Sequence, residues 1–201
     1  MHTQGEQEER RWILAAREGD LEAFERLVAA YARPIYNLAY RMLGDPMEAE
    51  DAAQEIFLRI YRRLTAYDPT YPPASWILSI AAHYCIDRLR SHRPSVSLEA
   101  LGSEIAASPN DLPESVVERQ EQEAWIQRAL SCLSPEDRMV LVLHYWHGRS
   151  CEEIASMLGL SHGAVRVRLH RARLRLAAHL YPLVHTDGGK PSEPVPDRRG
   201  S

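Results

Sequence analysis

Apolar residues recur along this chain at helical spacing, and strict apolar-polar alternation is nearly absent. Asp20 stands ahead of Leu21, Phe24, Leu27 and Val28, which share one face, so it reads as the N-cap of a helix. Pro34 has no amide proton and is expected to kink or interrupt that helix before Ile35 to Leu43 resumes. Gly44 closes it. Asp45-Pro46-Met47-Glu48 then starts another, with a capping aspartate, proline at the first helical position and a glutamate three beyond the cap. This helix should run to about Leu64. A turn-rich stretch, Tyr67 to Pro73, separates it from a helix over about 74–92, stopped by Pro94.

Residues 95–112 are rich in Ser, Ala, Gly, Pro and acids and carry no sustained period, so they read as a linker. A second helical set begins near Pro113. Ser134-Pro135-Glu136-Asp137 opens one helix, and Ser150-Cys151-Glu152-Glu153 is a capping box opening another, ended by Gly159. Ser161 caps a long final helix to about Leu180, stopped by Pro182, and the tail from Thr186 reads as disordered. The pattern predicts an all-α chain of two small helical domains, residues 1–94 and 113–183, joined by a flexible linker at 95–112. A tail covers 184–201.

Gly159-Leu160-Ser161 is the short connection of a helix-turn-helix, so the C-terminal domain is expected to carry one. Ala155 is small enough for close packing, and Gly159 permits the left-handed turn. Ile154, Leu158, Leu160, Val165 and Leu169 form the shared seam, with Ala172 and Leu176 continuing the buried face of the second helix. Arg166 and Arg173 flank that face on one side, Arg168 and Arg175 on the other. Gly163, Val167, His170, Arg171 and Leu174 point away from it. Flanking guanidiniums suit phosphates on both walls of a major groove, leaving the apex for base edges. Val167 could touch a thymine methyl and Arg171 could read guanine. An arginine-rich solvated helix is the plainer reading, but seam and charge coincide.

Composition at first points elsewhere. The chain has 201 residues, 24 basic against 28 acidic, for a net charge of −4, which taken alone argues against a nucleic-acid binder. By segment the picture reverses. From Ile154 to Thr186 there is no Asp or Glu, yet five arginines fall inside. From Glu99 to Glu123 seven acids meet only Arg119. Glu48, Glu50, Asp51 and Glu55 are followed at once by Arg59, Arg62 and Arg63. Cys85, Cys132 and Cys151 lie far apart without a CxxC pair, so no disulfide framework or zinc site is indicated, and small thiols in a reducing cytoplasm are expected. No apolar run approaches the roughly 18 residues that span a bilayer, and residues 1–11 lack the apolar centre of a secretion signal. Membrane insertion is not expected.

On the helix from Pro46 to Leu64, Ala49, Ala53, Ile56, Phe57, Ile60 and Leu64 share the buried side. The other side carries Asp51, Gln54, Glu55 and Arg62, with Leu58 among them and Tyr61 at the edge. An apolar residue ringed by polar ones marks a protein-contact surface; a singly exposed leucine is the equal alternative.

Four stretches together resemble a bacterial RNA polymerase sigma factor of the sigma-70 family, in the small two-domain extracytoplasmic-function group. They are AAREGDLEAFERLVAAYARPIYNLAYRMLGD, EAEDAAQEIFLRIYRRL, SWILSIAAHYCIDRLR and LSPEDRMVLVLHYWHGRSCEEIASMLGLSHGAVRVRLHRARLRL, covering most of residues 15–180 in the family's order. The resemblance implies a transcription initiation factor, without catalysis or cofactor of its own, that binds core polymerase and reads −10 and −35 promoter elements. It implies that Asp51, Gln54, Glu55, Leu58, Tyr61 and Arg62 dock on the clamp helices of the beta-prime subunit, the beta subunit being the other polymerase contact. It implies that the helix from Trp76 to Arg90 opens the −10 region. Tyr67, Tyr71 and Trp76 are then candidate walls for a flipped base, with His83, Arg88 and Arg90 as polar or phosphate contacts. Trp76 and Tyr84 as plain core aromatics remain the even alternative. For the −35 duplex the candidates are Ser161, His162, Gly163, Arg166, Val167, Arg168, His170, Arg171 and Arg173. The acidic linker would thread toward the active-site channel or serve as a plain tether, and an anti-sigma factor is an implied partner.

The chain departs from the family in two places. Ala82-His83 stands where Arg-Asn is frequent, and Gly163-Ala164-Val165 where Gly-Thr-Val is frequent. The first alters a −10 contact, with a neutral His donor the simpler expectation for His83; the second removes a hydroxyl. A rival reading is a stand-alone helix-turn-helix regulator whose N-terminal helices dimerise or sense a ligand. A hydrolase has no support, since no HExxH, GxSxG or P-loop spacing occurs.

Overall fold

Capping and amphipathic periodicity set the helices, and the computed structural model describes them over residues 4–91 and 114–184. The linker and tail expectations, 95–112 and from Thr186, lie outside the described residues. The elements are α1 (Gln4–Arg17), α2 (Leu21–Leu43), α3 (Pro46–Arg62), a 3-10 turn (Leu64–Ala66), α4 (Pro73–Ser91), α5 (Glu114–Ser131), α6 (Pro135–Tyr145), α7 (Cys151–Leu158) and α8 (His162–Val184). No strand occurs among the described residues.

The caps work as their chemistry requires. Asp20 accepts from the Ala23 amide and Asp45 from the Glu48 amide, satisfying orphan first-turn donors. Gly44 ends α2 at φ +86. At two prolines the helix does not break off. Pro34 sits inside an uninterrupted α2. It forfeits one backbone bond, but Tyr31, Ile35 and Leu38, on one face around it, are all buried, and that burial keeps the helix continuous through the proline. Likewise α8 runs past Pro182 to Val184; the missing amide costs one bond, to the carbonyl at position 178, close to the end of the helix.

α1 is an element the apolar pattern did not announce. Ile13 and Ala16 bury its inner face, it packs on α2, α4 and the 3-10 turn, and the Tyr31 hydroxyl donates to Glu9 at 2.7 Å. α2 and α3 form the main antiparallel pair, with α4 across them. In the C-terminal half, α6 packs on α7 and α8.

α4 is buried nearly all round: Ile77, Leu78, Ile80, Ala81, Ala82, Tyr84, Cys85 and Ile86 all lie inside. It has two sets of neighbours, α2 and α3 on one side, α6 and α7 on the other, so the apolar core runs through both halves. The C-terminal end of α2 anchors this packing. The buried Arg138 guanidinium on α6 donates to the Met42 carbonyl, a cation on an orphan acceptor at a helix C-terminus. Gln127 donates to the Tyr40 carbonyl at 3.0 Å, and Arg41 meets Glu123 at 2.8 Å while lying over the Trp146 ring.

Candidate functional site

The helix-turn-helix is built from α7 and α8. Ser150 accepts from the Glu153 amide at 3.1 Å and its own amide donates to the Glu153 carboxylate at 2.8 Å, a reciprocal capping box. At Gly159, φ is +64 and ψ 34, a left-handed geometry an L side chain adopts only with strain. Ser161 accepts from the Ala164 amide and starts α8. Ile154, Ala155, Val165, Leu169 and Ala172 are buried in the seam. Ser161, His162, Gly163, Arg166, Val167, His170, Arg171 and Arg173 are exposed, with Val167 at 56%. A shallow concavity at their foot is lined by His144, Cys151, Gly163, Val167, His170 and Arg173.

The arginines of α8 are not equivalent. Arg168 is half-buried and meets Asp137 of α6 at 3.2 Å, and Arg175 meets the other oxygen of that carboxylate at 3.5 Å. Arg173 donates to the Tyr145 hydroxyl at 2.8 Å and lies over its ring. Arg166 and Arg171 have no side-chain partner among the described residues. Spacing alone placed Arg168 with the phosphate contacts; the buried Asp137 that claims it lies on another helix.

On α3, Asp51, Gln54, Leu58, Tyr61 and Arg62 form one exposed stripe, and Ala49, Ala52, Ile56 and Ile60 the buried one. Leu58 is 50% exposed and Tyr61 46%. Glu55 is half-buried and paired with Arg59 at 3.1 Å, and Tyr61 packs edge-on against Phe24 of α2 at 5.0 Å. Arg59 also lies over the buried Tyr84 ring, tying the stripe to α4.

The six residues proposed around the −10 strand divide. Tyr67 is a core residue: 3% exposed, its ring 5.0 Å from Trp76 and its hydroxyl donating to the Tyr71 carbonyl at 2.8 Å. Burial pushes its phenol up, against the opposing pull of Arg10. Tyr71 and Trp76 are half-buried beside it, and Tyr71 reaches Ser156 of α7. His83 is exposed on the outer stripe of α4 with Asp87 and Arg90. Its Nδ1 lies 2.7 Å from the Ser79 carbonyl, which can only accept, so Nδ1 carries the proton. The outward Nε2 of a neutral His83 is therefore an acceptor, where a donor was expected. Arg88 is half-buried. Arg90 is held by Glu136 of α6, its Nε at 2.9 Å and Nη2 at 2.5 Å. Burial would raise the Glu136 carboxyl, but its own amide and Arg90 outweigh that and hold it below the usual range. Among the described residues no cluster of three or more His, Cys, Asp or Glu could hold a metal, and no helix is long and apolar enough to cross a membrane.

Sequence reasoning missed α1 with Glu9, and it missed Asp137 and Arg138. The apolar triplet Trp12, Ile13 and Ala16 was a weak signal for α1. Asp137 and Arg138 read only as part of a helix start.

Two family models match: Sigma-70 region 2 over residues 27–94 and Sigma-70, region 4 over residues 123–176. The chain is 36% identical over 180 residues to the ECF RNA polymerase sigma factor SigW of Bacillus subtilis, covering 85% of this chain and 96% of that one. It is 36% identical over 165 residues to the ECF RNA polymerase sigma factor SigE of Mycolicibacterium smegmatis, covering 80% of this chain and 62% of that one. Among solved structures, CnrH in complex with the cytosolic domain of CnrY matches with a TM-score of 0.68 at 26% identity, covering 87% of this chain and 98% of that one.

Proposed function

The chain belongs to the sigma-70 family, in its extracytoplasmic-function group of RNA polymerase sigma factors, and from that premise we propose how its surfaces divide the work of initiation. It binds core RNA polymerase and promoter DNA and directs promoter-specific transcription initiation. The observation that carries the division is the order of two surfaces. A polar-ringed Leu58 on α3 precedes a helix-turn-helix whose outer face has arginines and no acid.

The α3 stripe of Asp51, Gln54, Leu58, Tyr61 and Arg62 docks on the clamp helices of the beta-prime subunit, with the half-buried Glu55 setting Arg59 beside it. Leu58 supplies an apolar anchor inside a charged rim. The α8 face of Ser161, His162, Gly163, Arg166, Val167, His170, Arg171 and Arg173 enters the major groove of the −35 element. Its first-turn amides and guanidiniums hold phosphates, and Val167 and Arg171 meet base edges. On α4, His83 and Arg90 meet the −10 strand, with Trp76 and Tyr71 lining the place where a base unstacks. Tyr67 supports that wall from the core. The domain limits follow from the same assignment, residues 1–94 for polymerase and the −10 element and 113–183 for the −35 element. The factor has no catalysis of its own, since bond formation belongs to the polymerase, and it acts in the cytoplasm. A regulatory partner covering these surfaces is proposed by analogy with CnrH, which is solved in complex with a partner's cytosolic domain.

The test is transcription by the full chain with core polymerase on a promoter library randomised upstream of the start. Selected templates should share two elements at fixed spacing, and Leu58→Glu should abolish transcription while leaving the helix content unchanged. Tight sequence-specific duplex binding by the chain alone, with no transcripts when core is added, would overturn the reading in favour of a stand-alone regulator.

A further inference from the structure

α8 offers five arginines to DNA on paper, and the fold spends two of them. Asp137 sits in the first turn of α6, where its amide donates to Ser134 at 3.2 Å and its side chain is 1% exposed. Its Oδ1 lies 3.2 Å from Arg168 and its Oδ2 3.5 Å from Arg175. Those arginines are seven positions apart, two turns along the same side of α8.

We propose that Asp137 is a positioning residue for duplex reading: it withholds Arg168 and Arg175 from phosphate and fixes the pitch of α8, leaving Arg166 and Arg171 as the free guanidiniums. The inference rests on α8 being the duplex-reading helix.

A carboxylate sealed from water must keep its counter-charge, because an unmatched buried charge is heavily penalised. A phosphate drawing Arg168 or Arg175 away would expose that penalty, whereas Arg166 and Arg171 have none to meet. Arg173 is intermediate, held only by a neutral phenol. The two contacts also serve geometry. The apolar seam of Val165, Leu169 and Ala172 buries one face of α8, and apolar burial is non-directional. Two ionic contacts two turns apart on one fixed carboxylate stop α8 from sliding or tilting against α6. The apex residues Val167 and Arg171 then arrive at one height in the groove.

The test is the salt dependence of holoenzyme binding to a −35-containing duplex selected from the randomised library, read from about 50 to 200 mM, with a random duplex as reference. Each phosphate contact contributes about 0.9 to the log–log slope. Arg166→Gln with Arg171→Gln should flatten the slope. Asp137→Asn should steepen it by up to about two contacts, as Arg168 and Arg175 swing out, and reduce selected-over-random preference at least about fivefold, the worth of one base contact. The triple variant Asp137→Asn, Arg168→Gln, Arg175→Gln removes the whole charge cluster. It should keep the wild-type slope and still lose preference.

A merely structural Asp137 would lower thermal stability without steepening the slope. An unchanged slope in folded Asp137→Asn, or a triple variant flatter than wild type by about two contacts, overturns the proposal. The triple variant decides the matter if Asp137→Asn fails to fold. An unchanged slope in Arg166→Gln with Arg171→Gln would instead overturn the placement of α8 on DNA, and the proposal with it.

Discussion

His147, in the loop between α6 and α7, is a residue whose environment determines its charge. Burial, and then the neighbouring Arg149, hold its imidazole down at about 4 instead of the usual 6.5. The folded state therefore keeps it neutral where the unfolded chain would take up a proton. Its contribution to stability is complete above about 6.5 and is lost as pH falls toward about 4. Thermal melts across that window should show a falling Tm, and His147→Gln should flatten the upper part of the decline. Glu136 and Glu153, both held below the usual carboxylate range, lose their contributions lower down. Tyr67 makes a different point at this scale. As a core residue it should tolerate Tyr67→Phe at about 1 kcal/mol, the net worth of its bond to the Tyr71 carbonyl. Promoter opening measured on the same variant should be unchanged. Tyr67→Ala should cost several-fold more in denaturant titration, about 3–5 kcal/mol, because the Trp76 wall loses its support. Cys85, with burial pushing its thiol up to about 12, is not a reactive cysteine.

Among the elements, α2 and α4 are the instructive ones. α2 carries Pro34 in mid-helix without a break, so its stability comes from the buried Tyr31, Ile35 and Leu38 rather than from propensity. Pro34→Ala restores an amide donor and removes a ring clash, and should raise the denaturant midpoint, by about 1–3 kcal/mol of stability. A lower midpoint would mean that the proline ring itself packs. α4 shows why an element's apolar pattern depends on its number of neighbours. A helix packed on one side shows a clear stripe, as α3 does, whereas α4 is sandwiched and apolar around most of its circumference. Only the stripe of His83, Asp87 and Arg90 and the terminal Ser91 stay exposed. The element proposed to read −10 is thus also the one that joins the halves.

At the scale of the whole molecule, that junction constrains function. Arg90, proposed to meet the −10 strand, is occupied by Glu136 of the other half, and α8 is keyed to the next residue, Asp137. One turn of α6 therefore touches both helices proposed to read DNA. Arg90→Glu sets two like charges where a pair stood at 2.5 Å, and Glu136→Arg does the same with opposite sign. Either change should loosen the halves and raise the radius of gyration in small-angle scattering, and the double reversal should restore compactness. Scattering from both single variants identical to the wild type would mean that the apolar contact and the other polar contacts between the halves, Arg138–Met42, Gln127–Tyr40 and Arg41–Glu123 among them, suffice to hold them.

Much of the fold was legible in the sequence because helices obey short-range rules. Asp20, Asp45, Ser150 and Gly159 act within a turn of themselves, and the 3.6-residue period marks which face of α3 and α8 is buried. The order of the helices after α1, the helix-turn-helix and the polar-ringed Leu58 follow from those rules. What the sequence could not show depends on partners far along the chain. Tyr31 meets Glu9, Arg168 meets Asp137 and Arg138 meets Met42 across separations of 22, 31 and 96 residues. No periodicity encodes such encounters, because each is decided by how whole helices pack. Charge counting gave α8 five arginines; among the described residues only Arg166 and Arg171 lack a side-chain partner, Arg173 being held by Tyr145 and Arg168 and Arg175 by a buried carboxylate that must be matched from within the fold.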